Sequence, residues 1–243
     1  MNLKPAFKYL VVDGRKSVLF YYLIIYTIFF IAIILTKSMN LDGTISSMDM
    51  ATMVFLLVIG LNSFKTPFRL FLQNGVSRKT MFLSFLSFAC CLCAFMMVVD
   101  QINYHIFGRF SVYVHLFSDL YSQRYEAGFE LQQTLEGMLW SLFGYLFFIL
   151  LGFFITVLYY RCNKWQKLAV SIGVPGTLFI VLPLIDTNFF HGQISANILR
   201  FFIFALGLEN GGNPFIGAAS FAVGAVLLGG LAFLLMRRAT VKE

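Results

Sequence analysis

The sequence has 243 residues, 59% of them hydrophobic and only 12% charged, with mean hydropathy +0.82 and a formal net charge of +7. Soluble domains run at roughly 45–50% apolar and about 25% charged, so this composition excludes a soluble globular fold and marks an integral membrane protein. The four cysteines, Cys90, Cys91, Cys93 and Cys162, lack metal-site spacing and imply no disulfide framework.

The first sixteen residues, MNLKPAFKYLVVDGRK, set Phe7, Leu10 and Val11 at helical spacing among Lys4, Lys8, Arg15 and Lys16. That is the pattern of a short amphipathic leader lying in a membrane interface. Charge-free runs follow at 17–36, 50–64, 80–99, 137–160, 168–185 and 210–236. A bilayer core of about 30 Å takes about 20 helical residues. The runs therefore predict six transmembrane helices in an all-α, polytopic, single membrane-spanning domain over 1–243. The second run is short, so Asp49 or Lys65 is expected in the headgroup layer. The first is too long for a cleaved signal peptide, and ILTKSMN offers no small-x-small cleavage site.

Between the second and third runs lies FKTPFRLFLQNGVSRKT, residues 64 to 80. Its end resembles the tail of a phosphate-binding loop, but Arg78 stands where the second glycine belongs and no strand pattern precedes it, which excludes an ATP site. Phe64, Phe68, Phe71 and Leu72 recur at helical spacing, Pro67 suits the first helical position after Thr66, Asn74-Gly75 reads as a helix stop and Ser77 as a cap for the third span. The segment 65–79 is expected to be a short amphipathic helix joined to a span by one basic turn.

The segment 100–136 is the longest polar stretch and mixes aromatics with acids, which points to order. In it His115 and Asp119 stand four apart, the spacing of one helix face. They are a candidate metal or catalytic pair, set against an ordinary i,i+4 pair, since zinc takes three or four ligands. The stretch YYRCNKWQK, 159–167, carries interface aromatics. Pro175 and Pro183 predict a bend in the fifth span. Within 187–212, the apolar stretch 194–208 is interrupted by Arg200 and predicts an external or re-entrant helix. In the last run Asn213-Pro214 marks a helix start, and small residues stand four apart at Ala218 and Ala222, Ser220 and Gly224, Ala225 and Gly229, a spacing for close packing.

Lysine and arginine near span ends mark the cytoplasmic side. Six spans place Lys4, Lys8, Arg15, Lys16, Lys65, Arg69, Arg78, Lys79, Arg161, Lys164, Lys167, Arg237, Arg238 and Lys242 on one side, against Lys37, Arg109, Arg124 and Arg200 on the other. Both termini are then cytoplasmic, and of the eleven acids only Asp13 and Glu243 share that side. The net charge reads as contact with membrane lipid, not nucleic-acid binding. None of the six runs contains an Asp, Glu, Lys, Arg or His, which disfavours an ion-driven transporter and leaves any uphill work to a partner.

Six spans, cytoplasmic termini, an amphipathic leader and the pattern F-R-x-F-x-x-x-G-x-S-R-K-x-x-F after span two (Phe68, Arg69, Phe71, Gly75, Ser77, Arg78, Lys79 and Phe82) resemble the permease subunits of bacterial type-2 ABC exporters. The short chain is similar, within them, to exporters of amphipathic peptides such as phenol-soluble modulins or lantibiotics. The resemblance implies two permeases, identical or homologous, paired in a bacterial plasma membrane with two cytoplasmic ATPase subunits that hold ATP and Mg. This chain would then carry no catalytic residue and no cofactor. By the same resemblance Phe68, Arg69, Phe71, Leu72, Gly75, Arg78 and Lys79 form an ATPase-coupling helix, 159–167 a lesser contact, and Ile198, Phe201 and Phe202 an external gate. The cargo would be a hydrophobic or amphipathic molecule, a peptide first of all. A non-transporting membrane scaffold or sensor and a membrane enzyme using His115 and Asp119 are the alternatives.

Overall fold

The computed structural model describes residues 3–39, 45–46, 48–108, 113–125, 130–209 and 212–237. The first helix, α1 (Leu3–Met39), is unbroken over 37 residues, about 55 Å at 1.5 Å per residue. The leader is thus not a helix of its own but the first turns of α1. Packing holds it, since Ala6 and Leu10 are buried. Next come α2 (Met48–Asn62) and α3 (Lys65–Gln73), separated by a bend at Ser63 and Phe64, then α4 (Arg78–Phe107), the short α5 (Leu116–Leu120) and α6 (Glu130–Arg161). A two-residue parallel pairing joins Ile45–Ser46 to Tyr113–Val114.

Residues 164 to 189 form one helical rod in five pieces: α7 (Lys164–Leu168), a π-helical turn at Ala169–Gly173, α8 (Val174–Gly176), a second π turn at Thr177–Val181, and α9 (Leu182–Phe189). Each π turn runs up to a proline, Pro175 or Pro183. A proline ring removes one donor and collides with the carbonyl four residues earlier, and a widened turn relieves both. Last are α10 (Gln193–Ala205) and α11 (Pro214–Arg237), with the Asn213 side chain accepting the Phe215 N–H at 3.1 Å as the sequence predicts for an Asn-Pro start.

Six helical segments are long and apolar enough to cross a membrane: Leu3–Leu35, Met48–Gln73, Arg78–Phe107, Leu131–Arg161, Lys164–Asn188 and Pro214–Arg237. They match the six runs, and the middle four extend past both ends of theirs. The polar segment 100–136 is therefore shorter as a loop than its composition implies, its first residues belonging to α4 and its last to α6. The bundle has an α3 end, where α1, α4 and α11 also show a terminus, and an opposite α5 end.

α6 is the central helix, packed on α2, α4 and α11, while α1 leans on α4. The α2–α6 contact is backbone on backbone. A Cβ at Gly60 would lie 2.1 Å from the Ile149 carbonyl oxygen, and one at Gly152 would lie 2.1 Å from that of Leu57. Phe85 stacks on Phe153 at 3.9 Å beside them. On α11 the buried stripe is Ala218, Ala225, Gly229, Ala232 and Met236, so of the expected small-residue pairs only Ala225 with Gly229 lies fully in the interface. The rod α7–α9 stands apart. Phe179, Ile180 and Leu184 are more than half exposed, and the rod's main contacts are with its neighbours in the chain.

Candidate functional site: a coupling segment and a buried carboxylate cluster

The segment 64–80 folds as its letters predict, with its apolar face turned inward. Phe64 and Phe68 are fully buried and stacked at 4.8 Å, and both meet the Tyr160 ring of α6, at 5.3 and 5.5 Å. Phe71 is buried edge-on to Tyr9 of α1 at 5.5 Å, and Leu72 is half-buried. The helix starts at Lys65, which puts Pro67 two positions deeper than expected. It stops at Gly75, whose φ of +69° is left-handed. There the Gly75 N–H donates to the Leu72 carbonyl at 3.1 Å and the Val76 N–H to that of Phe71 at 2.8 Å, the double bond of a Schellman stop. The Ser77 hydroxyl accepts the Thr80 N–H at 3.2 Å, capping α4 as predicted. Arg78 donates to the Arg237 carbonyl at 2.5 Å, which ties the start of α4 to the end of α11. The face left exposed is Lys65, Arg69, Leu70, Gln73 and Asn74, with Lys79 beyond. Of the expected coupling residues, Arg69, Gly75 and Lys79 lie at the surface, whereas Phe68 and Phe71 anchor the helix from within.

In the stretch 159–167, Asn163 opens α7, its N–H donating to the Gln166 side-chain oxygen at 2.9 Å, and Trp165 is exposed. Ile198, Phe201 and Phe202 are brought together on α10 and are exposed there, Phe201 at 65%. An element that sequence reading missed holds this helix in place. Asp186, near the end of α9, accepts the N–H groups of Ile194 and Ser195, each at 2.8 Å, and the Ser195 hydroxyl. At its other end α10 is secured through the Leu206 carbonyl, which accepts the Tyr121 hydroxyl.

The second finding lies inside the bundle. Charge-free as the third run is, α4 continues to Phe107 and carries Asp100 into the interior, 6% exposed. Its carboxylate accepts the Tyr145 hydroxyl of α6 at 2.6 Å and the Tyr22 hydroxyl of α1 at 3.2 Å. One turn on, Asn103 accepts from Tyr26 at 3.2 Å, and Tyr21 is bonded to Thr52 of α2 at 2.6 Å. The spans thus hold a buried acid, which corrects the expectation of helices free of ionisable groups. Asp49, in the first turn of α2, is also buried within the protein. It pairs with the His115 ring and accepts the Leu116 N–H at 2.8 Å. His115 therefore precedes α5 and faces α2, while Asp119 is exposed, so the two are not brought together as a pair. Among the described residues no three His, Cys, Asp or Glu side chains gather as a metal site would require.

Outside the spans, Tyr125 donates to Glu136, and Arg124 lies 3.6 Å from the same carboxylate. Burial first, then the Glu136 carboxylate, hold the Tyr125 hydroxyl protonated well above the usual phenol range. The signal for the carboxylate cluster was in the letters: Asp100 and Asn103 share a helix face at the edge of a run, and tyrosines are unusually dense at 21, 22 and 26. Pairing them needed the packing of α1 on α4.

No family model, no curated protein and no solved structure matches the chain.

Proposed function

We propose that the chain is the membrane permease subunit of an ATP-driven exporter, moving a hydrophobic or amphipathic cargo, with a separate ATPase as the source of work. The observation that carries this reading is α3. It is a short helix that closes the second apolar segment, set off from α2 by the bend at Ser63 and Phe64, fixed from inside by Phe64, Phe68 and Phe71 and stopped sharply at Gly75, with a polar, basic face outward. Such a rigid knob, at the end of the bundle where the basic residues collect, passes a push from a docked partner into α1, α4 and α6 together. The docking face is then Lys65, Arg69, Leu70 and Gln73, not the buried phenylalanines, with the α3 end cytoplasmic and a second permease completing the complex.

The test is co-purification of soluble ATPases with the tagged protein from its native membrane in mild detergent. The wild type is expected to retain a stoichiometric ATPase, and Leu70→Asp with Gln73→Glu to lose it while keeping the wild-type thermal midpoint. Recovery of no ATPase with the wild type would remove the proposal's energy source.

Buried Asp100 favours a second reading, proton-coupled movement, because ionisable groups are held inside membranes chiefly where they act. Transport that stops on collapse of the proton gradient and in Asp100→Asn, with no ATPase bound, would select it.

A further inference from the structure

A groove of about 410 Å³ lies between α1 and α2, because α1 rests on α4 and α2 on α6. Its two ends differ in chemistry. Toward the α3 end it is lined by Asp13, Ser17, Asn62 and Ser63, and toward the middle of the bundle by Phe20, Ile24, Phe55 and Val58. From Asp13 to Ile24 the wall runs about 16 Å at 1.5 Å per residue. Tyr21 crosses it, stacked on Phe55 at 4.2 Å. Phe20, Ile24 and Val58 are exposed, so the groove opens sideways to whatever surrounds the bundle.

The polar end offers acceptors. Asn62 gives its N–H to the Val58 carbonyl at 3.0 Å, and Ser63 gives its hydroxyl proton to that of Ile59 at 2.7 Å. What remains is the oxygen lone pairs of both and the second N–H of Asn62. Asp13 adds a carboxylate that has no hydrogen bond or ion pair among the described residues. An ammonium head presents three donors and no acceptor, so it complements the Asp13 carboxylate and these oxygens, whereas a phosphate or a carboxylate would meet the like charge of Asp13. The groove also falls within the range of volumes that hold small ligands, about 300–1,000 Å³.

We infer that this groove binds an amphiphile with one apolar tail and a protonated amine head, the ammonium on Asp13 and the tail along Phe20, Ile24, Phe55 and Val58. It is the site where cargo is loaded sideways from the membrane. The cargo role rests on the permease reading above; the binding chemistry does not.

The probe is octadecylamine carrying a diazirine on its tail, with the matching alcohol as neutral control. The purified chain is labelled without any ATPase in phosphatidylcholine nanodiscs, and the labelled residues are read by mass spectrometry. The amine is expected to label α1 and α2 about fivefold more than the alcohol, the size of a favourable exposed ion pair. Asp13→Asn is expected to abolish that preference while leaving labelling by the alcohol unchanged, and Val58→Trp, which fills the groove, to reduce labelling by both. Equal labelling by amine and alcohol in the wild type, or a preference that survives in Asp13→Asn, overturns the inference. If excess phosphatidylethanolamine clears the groove, it is a lipid-headgroup site and the cargo assignment falls. Amine-selective labelling, combined with failure of the wild type to co-purify an ATPase from its native membrane, would keep the groove and sink the permease reading, so the two fail separately.

Discussion

Single side chains decide how the interior is wired. Two tyrosines from different helices donate to Asp100, and each hydroxyl left unsatisfied by its loss costs about 1–3 kcal/mol. Asp100→Leu is accordingly expected to lower the thermal midpoint in detergent more than Asp100→Asn, whose amide oxygen still accepts. Equal effects would mean that the two bonds contribute little. At the other polar centre, Asp186→Ala removes the acceptor for two α10 amides, so hydrogen exchange at Ile194 and Ser195 should speed up while α6 amides keep their protection. These residues were the least readable in the sequence. Asp186 sits one position past a charge-free run and Asp100 likewise, where composition assigns an acid to a loop. Only the continuation of each helix carries it inward. Ser77, Asn74 and Gly75, by contrast, act on neighbours a few residues away, and their roles as cap and stop were legible.

The six membrane-long segments were legible in number and order because a run of apolar residues is a local property, and their partners were not because packing is not local. The clearest case is the contact of α2 with α6. Gly60 and Gly152 are isolated glycines in LLVIGLN and ILLGFF, with none of the spacing that drew attention to α11. Yet each meets a carbonyl of the facing helix with no room for a methyl group. Gly152→Ala is expected to cost at least the 1–3 kcal/mol or so typical of overpacking, as is Gly60→Ala. Gly230→Ala, where a Cβ meets nothing within 4 Å, serves as the matched control and should leave the thermal midpoint unchanged. A drop for Gly230→Ala as large as for the other two would show that close approach is not the cause, since helix propensity by itself favours alanine over glycine. The apolar face of α3 meets the chain's own core, which the letters left open, since a periodic apolar stripe looks the same whether it meets that core or a partner's groove.

For the molecule as a whole, the division is between a packed bundle of α1 to α6 with α11 and the rod-and-elbow of α7 to α10. Lipid or a second permease would cover the bare rod equally well as far as hydropathy goes. Under the permease proposal the second copy covers it. A cysteine at Phe179 is then expected to form cross-links between copies in the native membrane, and one at Val226, exposed on α11, to form none. Cross-linking at neither position would leave the rod facing lipid.

The tie from Arg78 to the Arg237 carbonyl has a mechanical meaning. The peptide group at the close of α11 is fastened to the opening of α4, which follows α3 after a turn of four residues. The last span of the chain and the third thus share a footing, although 159 residues separate the two partners. Under the permease proposal, a load applied to α3 is borne by a base of α1, α4, α6 and α11 together, and the rod α7–α9 meets that base through Cys162 and Asn163 and through the bond between the Tyr159 and Ser171 hydroxyls at 2.7 Å.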